Sequence, residues 1–238
     1  MIGYDNLAIN HQILLDLPFR EADGAITRDE AKPHHQNVAL VDTPTWAKLV
    51  SGLGVITLNG TSEYLELARL ACVDLDFIAG DYSIGVWFNW AAGNPSQIII
   101  GRYEEDVSGW EVYLYDDPNY YLTLRHHHAG TIVDLHPRTA CYSGGWTQGV
   151  NHFMGISRTG GGDAIHYRNG VALTMTCSTG GLVDPETEIT RDLVIGTRFT
   201  KTGNYFKNNL WRPRVWDRVL SADEWMQIFE YERHWFGV

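Results

Sequence analysis

The sequence is short of positive charge. Its 18 Lys and Arg residues stand against 29 Asp and Glu residues, and the formal net charge is −11. Such a surface repels phosphate groups, so we expect no nucleic-acid partner. No apolar run approaches the roughly 18 residues of a membrane span, so we expect no membrane insertion. The first residues, MIGYDNLAINHQ, carry an acid where a secretion signal has its basic residues, which predicts no standard signal.

Cysteine is scarce as well. Cys72, Cys141 and Cys177 are the three cysteines, and none lies in a CxxC motif. Three cysteines cannot all pair within one chain, and free cysteine is usually a buried residue. We therefore expect three buried or half-buried thiols and no disulfide scaffold, which would suit folding in a reducing cytoplasm.

Helical patterns are few and strand patterns dominate. YSIGVWFNW and GWEVYLYDD alternate between two faces, as half-buried strands do. The Asn169-Gly170 pair predicts a tight hairpin. Pro213 lies inside the last strand-like run, which predicts an edge strand or a break there. SADEWMQIFEYE is the best helix, because Ser221 and Glu224 have the spacing of a capping box. Many short strands with glycine-rich turns and one terminal helix indicate a single all-β sandwich.

The order of these segments resembles the laminin-G-like group of the concanavalin A-like superfamily. LLDLPFREADG, GLGVITLNGTSEYLEL, GDYSIGVWFNW and GWEVYLYDD look like its successive strands. WTQGVNHFMGISRTGGGDAIHYRNG, LVIGTR and FKNNLWRPRVWDRVLSADEWMQIFEYE look like its later hairpin, its closing strand and its final helix against the sheet edge. The resemblance implies a two-sheet antiparallel jelly roll at residues 13–238, with residues 1–12 as an N-terminal arm.

Relatives of this fold include glycoside hydrolases, which need two carboxylates across the sugar bond. A Glu-x-Asp-x-Glu strand would supply them, and the sequence has none. The nearest acidic runs, DPETE at 184–188 and EEDVSGWE at 104–111, are interrupted by a proline or a turn. We therefore expect a non-catalytic binding or assembly module. The alternatives are a glycan-cleaving enzyme and a secreted lectin or adhesin of the same fold.

Outward aromatic side chains are the candidate carbohydrate- or partner-binding residues: Trp87, Tyr113, Tyr115 and Tyr120. If Val86, Val112 and Leu114 face the core, the neighbouring Trp87, Tyr113 and Tyr115 face outward, where a ring can stack on a sugar or anchor a protein. A second layer of structure covering these rings is the other interpretation.

Calcium is a possible cofactor, because several relatives of the fold bind it. Asn59 and Glu63 in one turn, with Asp184 and Glu186 in another, offer the oxygen ligands that calcium prefers. A polar turn without an ion is the alternative. The run His126-His127-His128 is a weaker candidate for a metal site, because neighbouring residues on a strand face opposite sides of the sheet. We expect this run to be a solvated strand end.

The resemblance implies a setting outside a cell. Such domains occur in secreted bacterial proteins, in adhesins and in phage head or tail appendages. Phage proteins fold in the host cytoplasm and leave by lysis, which fits a chain without a secretion signal or disulfides. We therefore expect a virion structural protein, with an extracellular protein as the alternative. Its partners would be a glycan, virion proteins or both. Residues 1–12 and 233–238 are apolar, and we expect at least one of these chain ends to dock on a neighbouring chain, which would make the protein a homo-oligomer or particle component. Packing of both ends on their own domain is the alternative.

Overall fold

The computed structural model describes residues 8–31, 36–105, 107–115, 120–128, 138–178, 181–185 and 190–238. They form two antiparallel sheets and one short helix, so the predicted all-β sandwich is confirmed. The strands are β1 (Ile13–Asp16), β2 (Ile26–Arg28), β3 (Asn37–Val41), β4 (Thr45–Lys48), β5 (Gly54–Asn59), β6 (Tyr64–Leu67), β7 (Tyr82–Trp90), β8 (Ser96–Glu104), β9 (Ser108–Tyr115), β10 (Tyr121–His127), β11 (Arg138–Ser143), β12 (His152–Arg158), β13 (Ala164–Arg168), β14 (Val171–Ala172), β15 (Thr176–Cys177), β16 (Leu193–Ile195) and β17 (Lys207–Trp216). The helix is α1 (Ala222–Glu232).

The two sheets have different surroundings. One has the order β14-β13-β12-β7-β17-β5-β4, with β1 also beside β17. We call it the helix-side sheet, because α1 packs on its outer face. The other has the order β15-β11-β10-β9-β8-β16-β6-β3-β2, and we call it the open sheet. The core lies between them, and alternate residues of the long strands fill it, among them Ile84, Val86, Val112 and Leu114 at 0% exposure.

The predicted hairpin turn is confirmed. β13 ends at Arg168 and β14 begins at Val171, with only Asn169 and Gly170 between them. Both turn residues have positive φ, 52° and 79°, as the commonest two-residue hairpin turn requires. Asparagine and glycine tolerate that backbone best, so the local sequence determines the register of this edge.

Pro213 does not place its strand at an edge. β17 lies inside the helix-side sheet, between β7 on one side and β5 and then β1 on the other. Its register against β7 shifts between Trp211 and Arg214, and Arg212 has φ 48°. A bulge accommodates the missing N–H of proline without ending the strand. The predicted irregularity is thus present at this point, while the predicted edge position is wrong.

Helix α1 begins as predicted but covers a face rather than an edge. Ser221 accepts a hydrogen bond from the Glu224 backbone N–H, and the Glu224 side chain accepts one from the Ser221 backbone N–H, which forms the capping box. Trp225 then packs over Gly85 of β7 and Gly155 of β12, two glycines directly opposite each other in the sheet. The absence of side chains at these two positions makes room for the indole ring.

Of the C-terminal residues, Phe236 packs on its own domain, while docking of a chain end on a neighbouring chain stays a prediction. The ring of Phe236 stacks on Trp87 with centroids 3.9 Å apart, and Phe236 is 9% exposed. Trp235 is 40% exposed. At the other end residues 1–7 lie outside the described part, and from Ala8 the arm is attached to the sheet, because the Trp216 indole N–H donates to the Ile9 carbonyl at 2.8 Å.

The expectation of three free thiols is wrong for two of them. Cys141 of β11 and Cys177 of β15 face each other across neighbouring strands and form a disulfide with a sequence separation of 36. Cys72 is the free cysteine and is buried. Burial raises the pKa of its thiol to about 11, so it remains protonated at neutral pH. Pairing across a sheet depends on strand order, which the cysteine spacing does not reveal.

No helix in the described part of the chain is long and apolar enough to cross a membrane.

Candidate functional site

The outer face of the open sheet carries a small polar pocket of about 360 Å³. We call it the tyrosine–arginine pocket. Its walls come from β8, β9 and β10, from the turn after β8, and from the segment between β16 and β17. The lining residues are Ser96, Ile98, Glu105, Tyr113, Tyr115, Arg125, Arg198 and Asn204.

Strand alternation places the two tyrosines in this pocket. Val112 and Leu114 of β9 are fully buried in the core, while Tyr113 is half-buried and Tyr115 is 44% exposed. In the register of the sheet Tyr113 lies opposite Ile98 and Tyr115 opposite Ser96. The outward direction predicted for both rings from the sequence is therefore confirmed, although no ligand contact follows from it alone.

Each arginine of the pocket is held by an acidic partner. The Arg125 guanidinium donates to the Glu111 carboxylate, and it also lies 5.0 Å from the Tyr113 ring centroid. Arg198 lies 3.4 Å from the Glu105 carboxylate. Two cations and two carboxylates therefore balance, and the pocket is formally neutral although the chain is strongly acidic. These ion pairs also restrict the side chains, which lowers the entropy lost when a ligand binds.

A buried polar cluster lies beside the pocket, on the same outer face of the open sheet. Glu111 is 0% exposed, and its Oε1 lies 3.8 Å from Nε2 of His127, which is 1% exposed. The Tyr103 ring stacks on His127 with centroids 4.5 Å apart, and the Tyr103 hydroxyl accepts a hydrogen bond from Nε of Arg198 at 3.1 Å. Burial raises the pKa of Tyr103. This cluster contacts Arg125, whose guanidinium lies 5.9 Å from the Tyr103 ring centroid and pairs with Glu111.

The histidine run is not a solvated strand end. His126 and His127 are buried on opposite sides of β10, and His128 is half-buried. Nε2 of His126 lies 2.5 Å from the Tyr82 hydroxyl, and its Nδ1 lies 2.9 Å from the Val183 carbonyl. Burial lowers the pKa of His126 to about 3, so this ring is a neutral part of the core. The sequence does not show this, because the groups that cover these rings, among them Tyr82 and Tyr103, are distant along the chain.

Trp87 and Tyr120, the other two aromatic candidates, do not line the tyrosine–arginine pocket. Trp87 does face away from the core, but Phe236 and Phe229 stack on it and it is 0% exposed. Its indole N–H donates to Glu232 at 2.8 Å. Tyr120 is half-buried against the core, with its ring 5.4 Å from that of Trp90. A second layer therefore covers Trp87, which was the other interpretation of its pattern.

The structure does not bring the three described calcium candidates, Asn59, Glu63 and Asp184, together. Asn59 pairs with Lys207 near the Trp90 end of β7. Asp184 contacts the hairpin tip beside Asp81, at the other end of β7. A nine-residue strand spans about 26 Å at its usual rise, so Asn59 and Asp184 lie far apart. Glu186 lies outside the described residues.

Each described member of that set has partners. Oδ1 of Asn59 accepts the backbone N–H groups of Thr61 and Ser62, and the Glu63 carboxylate accepts the N–H of Asn59 at 2.7 Å. These hydrogen bonds lie within the turn and stabilise it. Asp184 forms an ion pair with the buried Arg158. In the described part of the chain, Cys141, Asp163 and Cys177 form the group with metal-ligand spacing, and its two sulfurs are joined in the disulfide.

Comparison with known families agrees with this architecture. A laminin-G family model, described as the concanavalin A-like lectin/glucanases superfamily, matches residues 59–224. The chain therefore belongs to this superfamily, and the resemblance seen in the sequence is confirmed. A search of curated protein sequences gave no significant match.

Solved structures with a similar fold include neurotoxin binding domains. That of botulinum neurotoxin serotype D has a TM-score of 0.69 at 12% identity, with 94% of this chain and 52% of that chain covered. The binding domain of botulinum neurotoxin DC was solved in complex with rat synaptotagmin II, at TM-score 0.64, and with SialylT, at TM-score 0.66. Both have the same 12% identity and the same coverage. At this identity the likeness shows the fold alone, and the chain spans about half the length of these structures.

The sequence analysis missed the polar half of the pocket. Arg125, Arg198, Glu105 and Asn204 come from different strands and turns, up to 99 positions apart along the chain. The available signal was Arg125, whose position on β10 predicts the same outward face as its cross-strand neighbour Glu111. Glu105 lies in the turn after β8, whereas Arg198 and Asn204 depend on the segment between β16 and β17 folding back over the sheet. No local pattern predicts that these residues meet.

Proposed function

We propose that the protein is a non-catalytic binding module that recognises a carbohydrate through the tyrosine–arginine pocket. The observation that carries the proposal is the pair of outward tyrosines beside two arginines whose charges are already balanced. Tyrosine rings stack on the C–H faces of sugars while their hydroxyls remain hydrated. Arginine, glutamate and asparagine side chains supply the hydrogen bonds that sugar hydroxyls need.

The size and charge of the pocket narrow the ligand class. A volume of about 360 Å³ is at the small end of ligand pockets, which run from about 300 to 1,000 Å³. It suits a terminal sugar or a disaccharide rather than a long chain. Because the two ion pairs leave no net charge, an uncharged sugar is favoured over a polyanionic glycan.

Glycan cleavage is the alternative function, and the acidic residues do not favour it. A glycosidase needs two carboxylates about 5–10 Å apart that face the substrate. Glu111 is 0% exposed and paired with Arg125. Glu105 is paired with Arg198, and Asp184 with Arg158. Each of these acids is held by an arginine, whereas a general acid must be able to exchange its proton.

The setting we propose is the outside of a cell, on a secreted protein or a virion surface. The Cys141–Cys177 disulfide supports it, because disulfides persist in oxidising surroundings. It also removes one of the two reasons to prefer a phage particle over a secreted protein, since that preference rested partly on the absence of disulfides. The structure of the binding domain of botulinum neurotoxin DC, with a similar fold, was solved in complex with rat synaptotagmin II and with SialylT, which supports recognition as the general role.

A glycan array followed by calorimetry tests the proposal. We expect binding of uncharged glycans that falls about tenfold or more when Tyr115 is changed to Ala, as for a central aromatic contact. Tyr231→Ala is the matched control, because Tyr231 is 77% exposed on the helix on the other side of the sandwich. Affinity that survives Tyr115→Ala would exclude this pocket. Turnover of β-glucans or galactans that Glu111→Gln abolishes would establish the enzyme instead.

A further inference from the structure

A second and larger cavity lies on the opposite side of the sandwich. It has a volume of about 730 Å³ and opens between β17, helix α1 and the turns at 18–22 and 48–54. We call it the helix–strand cavity. Its walls are mainly apolar, and aromatic rings form both its floor and its rim. The residues that carry the argument are Phe19, Trp211, Ile228, Tyr231, Trp235 and Lys48.

The floor of the cavity is apolar and rigid. Phe19, Trp211 and Ile228 are 2%, 7% and 4% exposed. Tyr231 and Trp235, at 77% and 40% exposure, stand at the rim. A cavity of this size with apolar walls and a few polar groups has the form of a small-molecule site. When the cavity is empty, the apolar surface of these two rings is in contact with water, which is unfavourable in free energy.

An ion-pair network closes the polar side of the cavity. Arg212 donates to both oxygens of Asp16 at 2.9 and 3.0 Å. Arg214 donates to both oxygens of Glu232 at 2.9 and 2.8 Å, and Arg212 also reaches Glu232 at 3.0 Å. Both carboxylates are therefore occupied as acceptors, and the network offers a ligand no strong acceptor.

Two further polar groups of the cavity, on Trp211 and Lys48, are donors. Nε1 of Trp211 is buried and has no hydrogen-bond partner in the described part of the chain, although buried indole N–H groups usually find one. Lys48 is exposed at the rim and forms no ion pair there with the described residues, whereas Arg20 is paired with Glu30.

We infer that the helix–strand cavity binds a small amphipathic anion, with one aromatic or short aliphatic body and one carboxylate or sulfonate group. The body would lie between Phe19, Ile228 and Tyr231. The anionic group would accept from the Trp211 indole N–H or pair with Lys48, which balances the charge at the rim. The site is separate from the tyrosine–arginine pocket and does not depend on the function proposed for it.

Fluorescence titration of the full chain with 1-anilinonaphthalene-8-sulfonate tests the inference. We expect saturable binding of one probe per chain, with competition by 4-phenylbutyrate and much weaker competition by the neutral 4-phenylbutan-1-ol. Trp211→Phe keeps an aromatic ring and removes the N–H, and it should weaken binding about tenfold, as for loss of a hydrogen bond to a charged group. Lys48→Glu should weaken it further. Leu53→Trp, at the wall, should block it.

Two control variants show whether the titration reports this cavity. Lys207→Glu makes the same charge change at a distant exposed lysine, and Tyr115→Ala alters only the other pocket, so both should leave the titration unchanged. Thermal melts of every variant exclude binding to unfolded protein. Equal competition by the acid and the alcohol would overturn the inference, as would unchanged affinity in Trp211→Phe. Binding that occurs only after removal of residues 1–7, which precede Ile9 in the wall, would also overturn it.

Discussion

Glu232 connects three separate parts of the chain. It accepts hydrogen bonds from Arg212 and Arg214 of β17 and from the Trp87 indole of β7, and it is 3% exposed. In the sequence it is one more acid at the end of a helix. Its partners lie 18, 20 and 145 positions away, so no local pattern reveals the role. Residues of this kind limit what a sequence predicts, because burial of a charge depends on the whole fold.

Glu232→Gln should destabilise the protein strongly. It removes the counter-charge of the buried Arg214, and an uncompensated buried charge costs about 3–5 kcal/mol. The free energy of unfolding, measured with urea, should fall by that order. Glu230→Gln is the matched control, two positions away on the same helix. Glu230 pairs with Arg233 at the surface, with 53% and 46% of the side chains exposed, and such pairs contribute at most about 1 kcal/mol. Equal effects of the two changes would contradict the buried network.

His166 should make folding sensitive to acid. It is fully buried, with Nδ1 3.0 Å from the Ser143 hydroxyl, and burial lowers its pKa to about 3. An unfolded histidine has a pKa of about 6.5. Between these values the unfolded chain binds the extra proton, so stability falls as the pH falls from about 6.5 to 3.

Removing the titrating ring should flatten that dependence. We expect His166→Gln to reduce the slope of unfolding free energy against pH in this window, even if its stability at pH 7 is lower. The exposed His234 provides the control, since His234→Gln should leave the slope as it is. Urea unfolding at several pH values measures both. An unchanged slope in His166→Gln would show that other groups cause the acid sensitivity.

At the scale of elements, local patterns predicted what each segment is, and non-local packing decided where it lies. The capping box at Ser221 and Glu224 predicted the start of α1 because its hydrogen bonds are confined to one turn. The alternation in β9 predicted which way Tyr113 faces. The sequence did not predict that α1 lies on a sheet face, since that depends on two glycines 70 positions apart, Gly85 and Gly155.

Gly155→Ala should displace the helix. A Cβ at position 155 would meet the Trp225 ring at 2.7 Å, well inside contact distance. Overpacking of this kind costs about 1–3 kcal/mol, and the near-ultraviolet circular dichroism of the tryptophans should change with it. Gly80→Ala is the control, because a Cβ there meets nothing within 4 Å. If both variants melt at the same temperature as the unchanged chain, the helix does not depend on this close contact.

At the scale of the whole molecule, the sandwich was predictable and the arrangement of its polar groups was not. Strand alternation, hairpin turns and the order of segments define a jelly roll, because hydrophobic periodicity is a repeated signal. The calcium candidates were grouped by chemistry alone, and the length of β7 separates Asn59 from Asp184. The cysteines were judged by their number, whereas the strand order β15-β11 brings Cys141 beside Cys177. A single sequence contains little information about which distant segments lie close together in the fold.

The disulfide should make the stability of the molecule depend on redox conditions. It closes a loop between positions 36 apart in sequence, and the chain-entropy model assigns such a loop about 3–4 kcal/mol. The double change Cys141→Ser and Cys177→Ser should therefore lower the free energy of unfolding by that order, and dithiothreitol should have a similar effect on the unchanged chain. Dithiothreitol should not change the free energy of unfolding of the double variant. Because Cys72 is still present there, this variant shows that reduction acts through the disulfide and not through the free thiol. Mass spectrometry of the unreduced chain should show two hydrogen atoms fewer than the reduced one. A protein purified from an oxidising medium with three free thiols would contradict the bond, and with it the extracellular or virion-surface setting that the bond supports.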